Sequence, residues 1–546
     1  MALTIARAAV WALLVCLLLS WSPTDAGATG GVRTVALTGM PMPGTDDVFG
    51  DVGNFGFSLN NHGEVAFVAT PTQYEYGLGT PNFETLLDTA VFTEAGGQGL
   101  RRINHESVIN PYGERLRRVD RPIITDIGVT YFNGQPNPSP IAGFSRYFDS
   151  YGESVSQGVV AVGERVPYNS FAMPEDEWYS GVKITSVTSS GGYLLRTTLW
   201  SEYSDLAAGD FRPGNFRSGI GLQPSVGRIT CLTGLPEIDA QEVVDWFALD
   251  IARDASFVIG LETISNDVDL DRLFGQPIDT DSFVLRSNAG GDLEVLARDG
   301  STLIPGERAI AHIEQVATSE TGFVAVAGVL EGGGSAIWRF SPDRSIERVA
   351  ETGAPFVDWA TQPYSDNGIF RSLVVGGEGT IAYQTVDEVS GDQRFDLWVA
   401  PPDQEARLVA EPGDRLAGSE TEISAVSSYS VNARGQVAFS VSTVSDQPTD
   451  AVIWAEDQDG IFTPLAVAGG MLNVSDDATR PDWREVERVS GVGNHNFNDR
   501  GQIAFQAWFT DGTSGVFVSD VIAIPEPAGF WLSLIAVGAC RRERQR

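Results

Sequence analysis

Cysteine is almost absent from this 546-residue chain: three occur, and two of them, Cys16 and Cys540, sit in apolar stretches at the ends. Cys231 alone remains between them, so the body of the chain has no internal disulfide and must be held by packing and hydrogen bonds. Lysine is scarcer still, with Lys183 its one representative. Bases are outnumbered two to one, 36 against 72 acids, for a formal charge of −36. Such a surface repels phosphate backbones and anionic bilayers, so no nucleic-acid partner is expected. The four histidines, His62, His105, His312 and His495, show no paired spacing, and neither HExxH nor CxxC occurs, so no zinc site is expected. A G-x-S-x-G elbow, a Walker A loop and a dinucleotide fingerprint are also missing, and no cofactor is expected. Helical heptads and long linkers are lacking from 243 to 520, which leaves no strong domain boundary there.

What the chain has is a repeat. Its best copies are NNHGEVAF (Asn60 to Phe67), NARGQVAF (Asn432 to Phe439) and NDRGQIAF (Asn498 to Phe505), with looser ones at Gln157 to Val162, Asp254 to Ile259, Thr321 to Val326 and Glu378 to Tyr383. Asn, Asp and Gly suit the left-handed positions of a tight turn, and the apolar, β-branched run that follows suits a strand buried on both faces. A second apolar run follows each copy, as in SAIWRFS (Ser335 to Ser341), FDLWVAP (Phe395 to Pro401) and AVIWAED (Ala451 to Asp457). Most units add a third run ending in a turn, such as ARLVAEPG (Ala406 to Gly413). Gly322, Gly379, Gly435 and Gly501 recur about every 60 residues, which suits one four-stranded unit each. A solenoid is one arrangement of such units; the absence of helical periodicity favours an all-β propeller, of seven blades by this count. The last unit stops after GVFVSD (Gly515 to Asp520), and VRTVALTGMPMPG (Val32 to Gly44) resembles Ala406 to Gly418. The first strand is therefore expected to complete the last blade and close the ring.

Residues 1–28 read as a secretory signal peptide, with Arg7 before an apolar core, Ala8 to Trp21, and a small-residue cleavage site at Ala26-Gly27-Ala28. Residues 29–520 read as the repeat domain. Its first two repeats carry long insertions, Asn104 to Asp149, Pro167 to Ser180 and Ser201 to Glu242, in which binding loops are expected. Tyr74, Tyr76, Trp178 and Tyr179 lie in the first two units and could stack on sugar rings or cover blade edges. The nearest metal-like string, Asn266 to Gly275, alternates Asp267, Asp269 and Asp271 but has Arg272 and Ile278 where a calcium loop needs Gly and Glu; it reads as a solvated acidic loop and no metal site is assigned.

The tail, 521–546, sets Pro525-Glu526-Pro527 before a short apolar run, Ala528 to Cys540, and a basic end with Arg541, Arg542, Arg544 and Arg546. About 13 apolar residues fall short of the ~20 that span a bilayer, so a short apolar helix with transient membrane association is expected. This tail closely resembles the PEP-CTERM sorting signal of Gram-negative-type bacteria. The resemblance implies that Pro525, Glu526, Pro527, Arg541 and Arg542 form the sorting motif and that an exosortase-type enzyme is the partner. It also implies a place in the outer envelope, at the cell surface or in the extracellular matrix. The repeats resemble uncharacterised tandem-repeat proteins with the same tail, which brings no activity. The expected function is non-enzymatic, binding polysaccharide or surface proteins, or structural; the alternative is a secreted glycan-active hydrolase on a propeller scaffold.

Overall fold

The computed structural model describes residues 31–519 apart from internal stretches, the longest being 72–88, 162–177, 201–215, 266–280 and 353–372. The signal peptide, the tail and its expected helix lie outside the described residues. Every element within them is a β-strand. The strands form eight small antiparallel sheets. Seven keep chain order: sheet 1 (49–105), sheet 2 (115–161), sheet 3 (178–232), sheet 4 (241–298), sheet 5 (310–352), sheet 6 (373–410) and sheet 7 (423–467). Each is a four-strand meander, the unit of propeller-like folds.

Sheet 8 differs. Its first three main strands, Trp483–Ser490, Ala504–Phe509 and Ser514–Ser519, come from the end of the domain, and its fourth is the N-terminal strand Val32–Leu37. That strand pairs antiparallel with the third, Val32 opposite Ser519 and Leu37 opposite Gly515, as the likeness of Val32 to Gly44 to a fourth-strand segment foretells. A short strand, Met471–Asn473, extends the other edge.

The count of eight corrects the expected seven. Asn104 to Asp149, read as an insertion, contains the first three strands of sheet 2. Two repeats were overlooked. One is TDIGVTYF (Thr125 to Phe132), which lacks the opening Asn but forms the same turn: Thr125 N donates to Val129 O and Gly128 N to Thr125 O, as Asn60 N does to Glu64 O and Gly63 N to Asn60 O. Gln157 to Val162 is no repeat opening but the fourth strand of sheet 2, Ser156–Ala161. The other overlooked repeat is Tyr193–Trp200, the second strand of sheet 3, and the Ser201 to Glu242 insertion holds that sheet's last two strands.

Burial differs along the sheets. The second or third strands Val65–Pro71, Ser335–Phe340 and Ser514–Ser519 are fully covered. The first strands Ile310–Thr318 and Trp483–Ser490 are half exposed. The apolar clusters lie between sheets rather than within one. Val374, Leu397 and Val409 of sheet 6 pack with Phe439, Val441 and Trp454 of sheet 7. Val35, Val516 and Val518 of sheet 8 pack with Phe49, Phe67 and Phe92 of sheet 1, where Phe67 and Phe92 stack at 5.6 Å.

Polar side chains tie the same junctions. Asn60, Asn432 and Asn498 are buried. Each accepts at Oδ1 the amide protons two and four residues on, the hydrogen bonds of an Asx turn. Their Nδ2 groups reach into the next sheet: Asn432 to Asn498 O (3.1 Å), Asn498 to Asn60 O (3.0 Å) and Asn60 to Thr125 O (3.1 Å). One residue later the pattern repeats, with Ala433 N donating to Asp499 Oδ1, Asp499 N to Asn61 Oδ1 and Asn61 N to Asp126 Oδ1. Only glycine fits the fourth turn position: at Gly435, φ is +78° and a Cβ would stand 2.5 Å from Thr380 Oγ1.

Two predictions follow from these contacts. Asn432→Ala and Asn498→Ala remove matching bonds, so each should cost about 2 kcal/mol in denaturant titration; a much smaller loss at Asn498 would detach sheet 8 from sheet 1. Burial pushes the Tyr383 phenol up to about 12 and the Tyr429 phenol well above its ordinary range. Both stay protonated in the fold where the unfolded chain ionises, so the folded state binds more protons above about pH 10. Stability should hold below that pH and fall toward pH 12, with tyrosinate absorbance lagging until strand circular dichroism is lost. At Tyr429 a hydrogen bond from the Gln384 backbone offsets part of the effect of burial.

Candidate functional site

Polar groups that recur from sheet to sheet serve the scaffold. Glu94 accepts from Val65 N and from Arg33, which sits on the fourth strand of sheet 8. Glu456 accepts from Val437 N and from Arg407, which sits on the fourth strand of sheet 6. Arg33 and Arg407 hold the same place in the aligned segments. Gln384 and Gln506 likewise each donate to a first-strand carbonyl of the next sheet, Val426 and Val52. Two buried guanidiniums, Arg286 and Arg339, cross to Ser341 O and Ala400 O. Burial depresses the Arg339 guanidinium, which the facing Glu347 and Asp403 carboxylates partly offset.

One cluster has the residue types of a hydrolytic triad. Ser282 Oγ lies 3.0 Å and Asp299 Oδ2 3.6 Å from the ring of His312. Both address the same nitrogen, Nδ1, whereas proton relay needs the carboxylate on one ring nitrogen and the hydroxyl on the other. Asp299 also accepts from the backbone amides of Ser282 (2.9 Å) and Ile313 (3.1 Å). Thr38 stands in the same place before its turn glycine and takes the amide of Ser514. The cluster is thus a clasp between sheets 4 and 5.

Departures from the repeat mark a more specific place. Trp338, Trp398 and Trp454 occupy equivalent third-strand positions, opposite Val326, Tyr383 and Phe439, each at a register shift toward the fourth strand. Trp398 Nε1 donates to Thr385 Oγ1 at 3.0 Å, two residues beyond Tyr383. Gly328 holds that place in sheet 5, so the acceptor is gone and the buried indole N–H of Trp338 has no partner.

Trp338 and Leu330 form an apolar wall of a cavity of about 290 Å³. Gly306 and four charged side chains line the rest. Arg348 bridges Glu307 (3.2 Å) and Glu351 (2.5 Å), and Arg308 reaches Glu351 at 2.7 Å and the Gly333 carbonyl. Glu307 and Arg308 come from the loop entering sheet 5, Arg348 and Glu351 from its fourth strand. Charges alternate and cancel, so the cavity is polar but neutral within a strongly acidic chain.

The residues singled out from sequence fall elsewhere. Pro525, Glu526, Pro527, Arg541 and Arg542 lie outside the described residues, as do Tyr74, Tyr76 and the acidic string 266–275. Trp178 and Tyr179 open the first strand of sheet 3. His62 is a turn residue, its amide held by Asn60 Oδ1. Among the described residues no group of three or more His, Cys, Asp or Glu converges on a metal position. The cavity was legible only as a contrast between aligned units, Gly328 against Thr385 beneath a repeated tryptophan.

Over residues 331–531 the chain is similar to a family of unknown function (DUF7453). No curated protein matches it. Solved structures that resemble it include a periplasmic gluconolactonase of Pseudomonas aeruginosa, 14% identical over 69% of this chain and 95% of that one, with a TM-score of 0.29. An acylaminoacyl peptidase of Pyrococcus horikoshii is 10% identical over 84% and 58%, at 0.36. A sialidase of Trypanosoma rangeli is 11% identical over 94% and 61%, at 0.26. At such scores none of these likenesses bears on activity.

The two tryptophans give a paired prediction. Trp398→Phe breaks a hydrogen bond that Trp338→Phe does not. Trp398→Phe should therefore cost about 1 kcal/mol more in chemical denaturation; equal losses would mean that Trp338 has an acceptor.

Proposed function

We propose that the eight sheets are the blades of a closed β-propeller, and that the chain is an exported, non-enzymatic binding or structural protein of the cell surface or extracellular matrix. The observation that carries this reading is the use of the recurring polar side chains. Asn60, Asn432 and Asn498 join neighbouring turns, and the bonds from sheet 8 to sheet 1 repeat those from sheet 7 to sheet 8. Such groups are fixed by backbone partners and build a rigid scaffold, with recognition left to side chains that differ between blades. Half-exposed first strands suit the lining of a central channel.

Export is supported by the apolar leader, whose expected cut at Ala28 falls just before the strand that begins at Val32. Sorting is supported by the Pro525-Glu526-Pro527 tail, with an exosortase-type enzyme as partner and transient membrane association through Ala528 to Cys540. Polysaccharide or other surface proteins are the matching ligands.

A glycan array run beside a hydrolysis screen tests the role: binding without turnover is expected, and turnover abolished by a single carboxylate substitution would replace it with the glycan-hydrolase reading. Removing residues 525–546 should redirect the protein to the medium or leave it unprocessed; unchanged envelope retention and processing would refute sorting through this tail.

A further inference from the structure

We propose that the domain is held at a bilayer in one orientation, with the end that carries the Asn turns toward the lipid headgroups and the opposite end outward. This rests on the membrane association proposed for the tail and adds the surface that meets the membrane. Strand direction is the first ground. Val32 lies opposite Ser519 in sheet 8, so the chain enters and leaves the described domain at one point. That point adjoins the Asn turns. Ser519 N donates to Ile503 O and Ile503 N to Ser519 Oγ, one residue after the Asn498 turn closes on Gln502. Arg33 also reaches Gly63 O, in the Asn60 turn of sheet 1.

Reach is the second. Residues 520–527 join Ser519 to the apolar run that starts at Ala528. Fully extended, they cover roughly 28 Å at about 3.5 Å per residue. The strands Ala504–Phe509 and Ser514–Ser519 are each about 20 Å long. Carrying the tail back along them would leave too little chain to reach a membrane beyond the far end. The leader meets the same limit before it is cut, with residues 22–31 between its apolar core and Val32–Leu37.

The two ends of the sheets also differ in the connections they carry. First strands join second strands, and third join fourth, at the turn end, in short spans such as 60–64, 319–323, 341–345 and 432–436. Second-to-third connections and the crossings between sheets start and finish at the other end. The strands flanking 72–89, 201–215 and 266–280 are second and third strands, and those flanking 162–177 and 353–372 belong to successive sheets. The turn end can therefore approach a flat surface closely, whereas the reverse orientation would have to fit every long connection beneath the domain. Charge beside the tether agrees. Asp499 and Asp126 are engaged with the amides of Ala433 and Asn61, while Arg434 and Arg500 are exposed. These arginines offset part of the repulsion that a chain of charge −36 meets at anionic headgroups.

The test uses the exported protein with its tail, carrying Cys231→Ser and Cys540→Ser; Cys16 departs with the leader. One introduced cysteine then bears a donor dye, on vesicles of phosphatidylethanolamine and phosphatidylglycerol with a lipid-bound acceptor. His62→Cys and Glu378→Cys report the turn end, Glu331→Cys and Asp511→Cys the opposite end, and all four residues are exposed. Energy transfer should place the turn-end dyes about 20 Å nearer the acceptor plane. Equal distances, or nearer dyes at the opposite end, would overturn the orientation while leaving the tail's membrane role intact. No transfer at any position would remove the tail's membrane role and the orientation with it. Deleting residues 525–546 should abolish transfer at all four positions; transfer that survives would reveal another attachment and overturn the tethering argument.

Discussion

A four-stranded sheet whose middle strands are apolar on both faces is unstable alone in water; each face must be covered by another sheet. That requirement governs this chain. Phe67, Phe439 and Phe505 stand in equivalent second strands, all fully buried, and their neighbours in the clusters come from the adjoining sheet. In a row of such sheets the first and the last would each leave one apolar face bare. Here sheet 1 and sheet 8 cover each other through Phe49, Phe92, Val516 and Val518, and the N-terminal strand contributes Val35 and Ala36 to that same core.

Apolar burial sets how much surface meets at a junction, but not which residues face each other. Register is the work of the polar groups. The side chains of Asn60, Asn432 and Asn498 are each held by two amides and one side-chain oxygen of their own loop, and the other Nδ2 proton meets the next turn's carbonyl. Arg33 on Glu94 and Arg407 on Glu456 do the same near the outer strands. These pairs are partly buried and joined to backbone amides, which makes them more specific than surface ion pairs. With no disulfide in the body of the chain, repeated small fixings of this kind hold the sheets in order.

Much of this architecture was visible in the sequence. N-x-x-G before an apolar run states both the turn chemistry and the strand, and the likeness of Val32 to Gly44 to Ala406 to Gly418 stated where the first strand belongs. The count failed at sheets 2 and 3. At sheet 2 Thr125 replaces the signature Asn: its hydroxyl makes the local turn bond to Val129, while the junction bond is donated to its carbonyl by Asn60. A carbonyl leaves no trace in sequence. The strands of sheets 2 and 3 within Asn104 to Asp149 and Ser201 to Glu242, rich in Gly, Asn, Arg and Thr, read as insertions because their pattern is weak and pairing alone makes them strands. The cavity was hidden for another reason. Its four charges come from a loop and a strand some 40 residues apart, and its tryptophan lacks the acceptor that Thr385 gives Trp398.

The account depends on eight sheets arranged about one axis with the two ends of the domain in a single sheet. An experimental density map of the purified protein viewed down that axis tests it most directly. The result expected is eight four-stranded sheets, with Val32–Leu37 beside Ser514–Ser519 and the Asn498 side chain on the carbonyl of Asn60. An open row of sheets, or Val32–Leu37 lying apart from Ser514–Ser519, would contradict it.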